Sequence, residues 1–229
     1  MQILALETST EFGSCALWRD GVLTERVCPA GRSHSETLLP LVRELLNESG
    51  IGVAALDAIA FGVGPGAFTG LRVACGAAQG LAVAADLPLV PVSSLACMAA
   101  ASGGEQVLSL LDARMGEVYY ATFRRRGEAY QQSSDIRLAA PADIVLPTGE
   151  GWLACGNAPT VYPELHSRLL AAGIDFVPGI LPQAGVLARL AVGYFQAGEA
   201  IDSAMAAPLY VRDKVAKTVA ERLAEGGKA

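Results

Sequence analysis

Histidine is almost missing from this 229-residue sequence: His34 and His166 are the only two. Neither has a second histidine at helical spacing, which excludes the H-E-x-x-H and H-x-x-x-H metal pairs. No G-x-S-x-G elbow is present, and no cysteine carries a local nucleophile signature. The five cysteines (Cys15, Cys28, Cys75, Cys97, Cys155) are odd in number and never form C-x-x-C. That spacing predicts reduced thiols rather than disulfides or a zinc site. Positive charge is in deficit, with 17 Lys and Arg against 23 Asp and Glu, a net −6. Such a balance argues against a chain that grips nucleic acid alone; an RNA role would need a basic partner. No stretch reads as a membrane span, the nearest being Val73–Ala85, which stops at Asp86-Leu87-Pro88. Met1-Gln2-Ile3 enters a strand without a basic, then apolar, leader, so the expected location is cytoplasmic.

What remains is apolar: 52% hydrophobic against 17% charged residues, enough for one large domain or two lobes with a sizeable core. Ile3–Leu6, Ser14–Trp18 and Val22–Val27 read as a three-stranded meander, and Asp20-Gly21 is a two-residue hairpin signal. Ser33 or Ser35 starts a helix that runs to Ser49 and is closed by Gly50. Its Leu38, Leu39, Leu41, Val42, Leu45 and Leu46 span an arc of roughly 160°, wider than one core-facing stripe. Burial within its own lobe and docking on a partner are both open on that evidence.

Ala58–Val63 is a short apolar strand, followed by Gly62, Gly64, Pro65 and Gly66, with Thr69 as expected N-cap of a long helix. Strand, glycine turn and helix start form an anion cradle in principle. Yet no Gly-Lys-Ser/Thr follows, Ala67 replaces a dinucleotide-type last glycine, and Pro65 lacks an N–H. Gly76, Gly80 and Ala84 leave one helix face nearly bare, which admits a second helix at close range. Leu89–Val92 is a strand, Ser93 or Ser94 caps the next helix, and Gly103-Gly104 is the clearest break.

Beyond the break the pattern repeats. Ala5–Glu7, a polar turn, Ser14–Trp18 and Asp20-Gly21 are echoed by Leu110–Asp112, a turn, Glu117–Arg124 and Gly127. The expected division is 1–104 and 105–229. Glu7 and Asp112 end apolar strands at matching places, as metal-bound nucleotide acids or as turn acids capping local N–H groups. His34, with Ser33, Ser35 and Glu36, is a polar helix start, and Arg124-Arg125-Arg126 a solvated strand end or a nucleic-acid contact. Leu153–Cys155 with Gly156-Asn157 is a further strand and turn, Gln183–Gln196 a helix, and Pro208–Arg212 an extended run before a charged tail.

The segments Ile3–Thr10 (ILALETST), His34–Pro40 (HSETLLP), Gly64–Arg72 (GPGAFTGLR), Asp112–Arg114 and Pro208–Arg212 resemble, in that order, the TsaB (YeaZ) family. Glu7 stands where that family often has Asp, and Ala67 where it often has Ser. The resemblance implies an α/β, actin-like ATPase (ribonuclease-H-like) fold of two related lobes. It implies a cytoplasmic, non-catalytic subunit for threonylcarbamoylation of the adenosine beside the anticodon in tRNAs reading ANN codons. By the same resemblance the partners are the transferase TsaD and the ATPase TsaE, with tRNA met only in the assembled complex. A homodimer through the same helices is also implied. No cofactor or metal of its own is expected; ATP/ADP and threonylcarbamoyl-adenylate are handled by the partners. Glu7, Thr8, Gly64, Gly66 and Asp112 are the candidates should a nucleotide bind. The expected partner face is Leu38, Leu39, Val42, Leu45 and Leu46, with Leu71, Arg72, Cys75, Gly76, Gln79 and Gly80. A glycoprotease-type metallopeptidase and a sugar-kinase-like ATP-binding protein are the alternative readings.

Overall fold

In the computed structural model, residues 1–212 are described; the charged tail lies outside them. The chain opens with β1 (Gln2–Glu7), β2 (Ser14–Arg19) and β3 (Val22–Val27), paired antiparallel in sequence order. Asp20 and Gly21 hold φ of 49° and 91°, the left-handed pair that matches a hairpin's twist. Helix α1 (His34–Glu48) leads to β4 (Ala58–Gly64), which lies parallel to β1. Helix α2 (Phe68–Ala85) then returns to β5 (Leu89–Ser93), parallel to β4. Ser93 caps α3 (Ser94–Ser102), its hydroxyl accepting from the Ala96 N–H.

The second half follows the same plan. Strands β6 (Gln106–Arg114), β7 (Glu117–Arg126) and β8 (Ala129–Gln132) form an antiparallel meander, with short β9 (Arg137–Ala139) also on β7. After β10 (Trp152–Gly156) come α4 (Ala158–Val161), α5 (Pro163–Ala171), β11 (Asp175–Pro178) and α6 (Ala184–Gln196). The sheet orders are β3-β2-β1-β4-β5 and β8-β7-β6-β10-β11, one topology used twice. The echo in the sequence is therefore a repeat of the fold.

Five layers result, because each sheet has two apolar faces to cover. Leu4, Leu6, Ile59 and Phe61 face α1 and α2, while Ile3, Ala5, Ala58 and Ala60 face inward. Leu108, Leu110, Val118 and Tyr120 meet α4 and α5 on the far side of the second sheet. The middle layer is α3 and α6, in a core that continues to Val107, Phe123 and Cys155.

The middle helices do not respect the break at Gly103-Gly104. Helix α3, encoded before it, packs on β6, β8, β10 and β7 as well as on the first sheet. Helix α6, encoded long after it, packs on β1, β2, β4 and β5. The first lobe also caps α6: Ser14 Oγ accepts the Ala184 N–H at 2.8 Å, and Glu25 Oε1 accepts the Gly185 N–H at 2.9 Å. A division at 104/105 therefore misplaces residues 184–196, whose apolar face is covered by the first sheet. All five cysteines are free, as their spacing predicts, and all five are buried.

Candidate functional site

The glycine turn of 62–70 is shaped by backbone contact. A Cβ on Gly66 would collide with the Ser9 carbonyl, and one on Gly70 with the Thr8 carbonyl. The Ala67 N–H donates to Ser9 O at 2.7 Å, and Thr8 Oγ1 donates to Gly70 O at 2.7 Å. These bonds press the start of α2 against the turn after β1. The expected cap at Thr69 is corrected: Ala67 is the N-cap, and Thr69 stands exposed in the first turn. The helix starts two residues early because Ser9 already holds the Ala67 amide.

Glu7 and Asp112 act alike as turn acids. Glu7 Oε1 accepts the Ser9 N–H, and Asp112 Oδ1 accepts the Arg114 N–H at 2.9 Å, each two residues onward. Glu7 is wholly enclosed beneath Gly62, its Oε2 has no partner, and burial pushes its carboxyl up despite the opposing bonds from Ser9. Asp112 also accepts from the Tyr162 hydroxyl at 2.9 Å, and burial and then that bond push the phenol up to about 12.

Between the turns lies a cleft of about 580 Å³. Its walls include Ser9, Thr10, Phe68 and Thr69 from the first lobe and Asp112, Arg114 and Asn157 from the second. Of the expected nucleotide candidates, only Gly66 and Asp112 line it. Glu7, Thr8 and Gly64 are buried outside its lining, so for these three the expectation is corrected. Among the described residues no cluster of three His, Cys, Asp or Glu side chains could hold a metal. His34 directs Nε2 to Thr10 O at 3.0 Å, and His166 lies beside Phe176 in the other lobe.

Residues 208–212 form no strand but clasp the cleft. The Leu209 N–H donates to Val63 O at 2.7 Å, and the Tyr210 ring lies 5.2 Å from Phe68. Arg72 stacks 3.9 Å from the Phe68 centroid and donates from Nε to the Tyr210 hydroxyl at 2.9 Å. Arg212 reaches the opposite lobe, donating to Ala113 O at 3.1 Å and to Glu117 Oε2 at 2.6 Å.

The expected partner face splits in two. Leu38, Val42, Leu45, Leu46 and Cys75 are enclosed in their own lobe's core, and Leu71 is buried near Gly64 at the wall of the cleft. Their assignment to a partner is corrected: the wide leucine arc arises because α1 packs on β2, β3 and α2 at once. Leu39 is 49% exposed, and Arg72, Gly76 and Gly80 also face outward. Gln79 is partly covered, its amide donating to Ser203 O at 2.9 Å. The open strip of α2 thus runs Arg72, Gly76, Gly80, Val83 and Ala84. A Cβ at Gly76 or Gly80 would meet nothing within 4 Å. A glycine inside a helix costs about 1 kcal/mol relative to alanine. Nothing within the described chain requires these two. Helix α2 is long and apolar enough by length and composition to cross a membrane, which the sequence reading did not anticipate, and it packs on β4, β1 and α1.

Two lobes of one topology, facing each other across a cleft walled by two acid-capped turns, define an actin-like ATPase fold. A dehydratase component A from Acidaminococcus fermentans shares that architecture at 9% identity and a TM-score of 0.50. Much nearer is YeaZ from Pseudomonas aeruginosa, at 34% identity and a TM-score of 0.82, matching 91% of this chain and 99% of that one. The family model for TsaD, tRNA N6-adenosine threonylcarbamoyltransferase, matches residues 25–174. The tRNA threonylcarbamoyladenosine biosynthesis protein TsaB of Escherichia coli is 36% identical over 94% of this chain and 96% of its own. That of Haemophilus influenzae is 36% identical over 94% and 95%. The chain belongs to the TsaB family.

Proposed function

We propose that this chain is the non-catalytic docking subunit of a cytoplasmic assembly that threonylcarbamoylates tRNA adenosine. Its relatives' role in threonylcarbamoyladenosine biosynthesis supplies the pathway. The observation that carries the docking role is the open strip of α2, where Gly76 and Gly80 have no internal purpose. Bare backbone there lets a partner helix approach closely, Arg72 adds charge at one end of the strip, and Leu39 adds exposed apolar surface on α1. The partner is a TsaD-type transferase, with a TsaE-type ATPase joining the pair; a second copy of this chain would use the same strip. ATP/ADP and threonylcarbamoyl-adenylate belong to those partners, and this chain brings neither cofactor nor metal.

The only two histidines, His34 and His166, stand in different lobes, as expected of a subunit that carries no metal-binding histidine pair of its own. The test is reconstitution of tRNA threonylcarbamoylation with and without this chain. Product is expected only when it is present, and none from it alone. Turnover by the partners at full rate without it would overturn the reading.

A further inference from the structure

A second pocket, of about 380 Å³, opens on the far face of the second sheet. Strand β7 sends Tyr120, Thr122, Arg124 and Arg126 to one face by its two-residue period. Across the sheet, Arg137 stands opposite Tyr120, and Gln106 is paired with both Arg124 and Trp152. Near Leu108 and Leu110 this face is covered, but towards Gln106 and Arg124 the cover stops. The pocket floor there is Leu146, Pro147 and the flank of Trp152, with Ser133 and Ser134 beside them.

The rim is cationic on an acidic protein. Arg124 lies 5.3 Å over the Trp152 ring, and Arg137 lines the same pocket. Arg124, Arg126 and Arg137 are exposed and form no ion pair among the described residues. Their neighbour Arg125 points to the other face, where Glu105 and Glu128 neutralise it. Asp135, the acid nearest in sequence to Arg137, is exposed in the loop that precedes β9. Arg124 and Arg126 are about 7 Å apart along the strand, a step that serves successive phosphates of an extended strand. An apolar floor with serine hydroxyls and an arginine rim fits a base below and phosphates above.

We propose that this pocket takes an unpaired nucleotide of the tRNA, its phosphates held by Arg124, Arg126 and Arg137. The proposal rests on the reading above and adds to it where the RNA touches this subunit. It also fits the layers: α2 covers one end of the five-layer stack and the pocket opens at the other, so a docked partner leaves it free.

The test uses the full chain assembled with its transferase partner. R124E/R137E should pair with the partner as before while KM for tRNA rises about tenfold. Anisotropy of a fluorescein-labelled anticodon stem-loop should lose about two from its log–log salt slope, one per phosphate contact removed. R124K/R137K should restore most of both. Unchanged KM and slope with intact pairing would overturn the RNA site and leave the docking role standing. Loss of pairing in R124E/R137E, or displacement of the stem-loop by a poly-glutamate peptide but not by unlabelled RNA, would assign the pocket to a protein and also overturn it.

Discussion

Glu7 and Asp112 occupy equivalent positions in the two lobes, and each accepts the amide two residues further on. The shared geometry is that of one strand-and-turn unit used twice, but the surroundings differ. Glu7 is sealed beneath Gly62, whereas Asp112 faces the cleft and binds Tyr162. In both lobes the acid shapes a turn, and only in the second does it also face open volume.

That difference gives Glu7 a pH signature. Burial raises its carboxyl pKa above the ordinary value, so the folded chain retains a proton that the unfolded chain releases. Its contribution is fully present below the unfolded value near 4.5 and is lost as pH rises through the raised one. Glu7→Gln should therefore match the parent at pH 4 and be more stable at pH 8. Urea midpoints at both values measure it; equal midpoints at pH 8 would show that Glu7 is ionised at no cost.

Glycines of one helix should respond in opposite ways. Gly70→Ala drives a methyl into the Thr8 carbonyl and should cost about 1–3 kcal/mol. Gly76→Ala enters open space and should add about 0.5–1 kcal/mol. Thermal denaturation separates the two, and a Gly76→Ala chain less stable than the parent would contradict the open face.

At the same helix, Gly76→Leu and Gly80→Leu should leave the monomer folded and abolish capture by the transferase partner. Leucine fits the free surface but blocks close approach of a second backbone. A pull-down with circular dichroism as the folding control decides it; undiminished capture would move the interface elsewhere.

The clasp is open to the same treatment. Arg212→Ala removes the guanidinium from the Ala113 carbonyl and Glu117, and should lower stability by about 1–3 kcal/mol. Hydrogen exchange should speed up in the turn 113–116 first. Unchanged protection there would mean that the lobes hold together without this arginine.

Much of this was legible because it is written locally. Asp20-Gly21 dictates its own turn, Ser93 its own cap, and the strands after Ala58 and Trp152 are bounded by glycine. Which side of a helix is covered is not written locally. Leu45 and Leu39 look alike in an amphipathic pattern, yet one is sealed by β2, β3 and α2 and the other is half exposed. Thr69 lost the N-cap position to Ala67, whose amide is held by the carbonyl of Ser9, 58 residues earlier in the chain. The destination of α6 was hidden for the same reason: its cap comes from Ser14 and Glu25 across the fold.

That exchange of middle helices bears on how the molecule comes apart. A cut between Gly103 and Gly104 would leave an N-terminal fragment with one apolar sheet face stripped of α6. The C-terminal fragment would carry α6 with no sheet to receive it and would lack α3 over β6. Neither piece encloses its own interior, so each should be soluble only when the other is co-expressed. The chain uses one topology twice, but the protein is an interlocked pair, and its halves should reconstitute together or not at all.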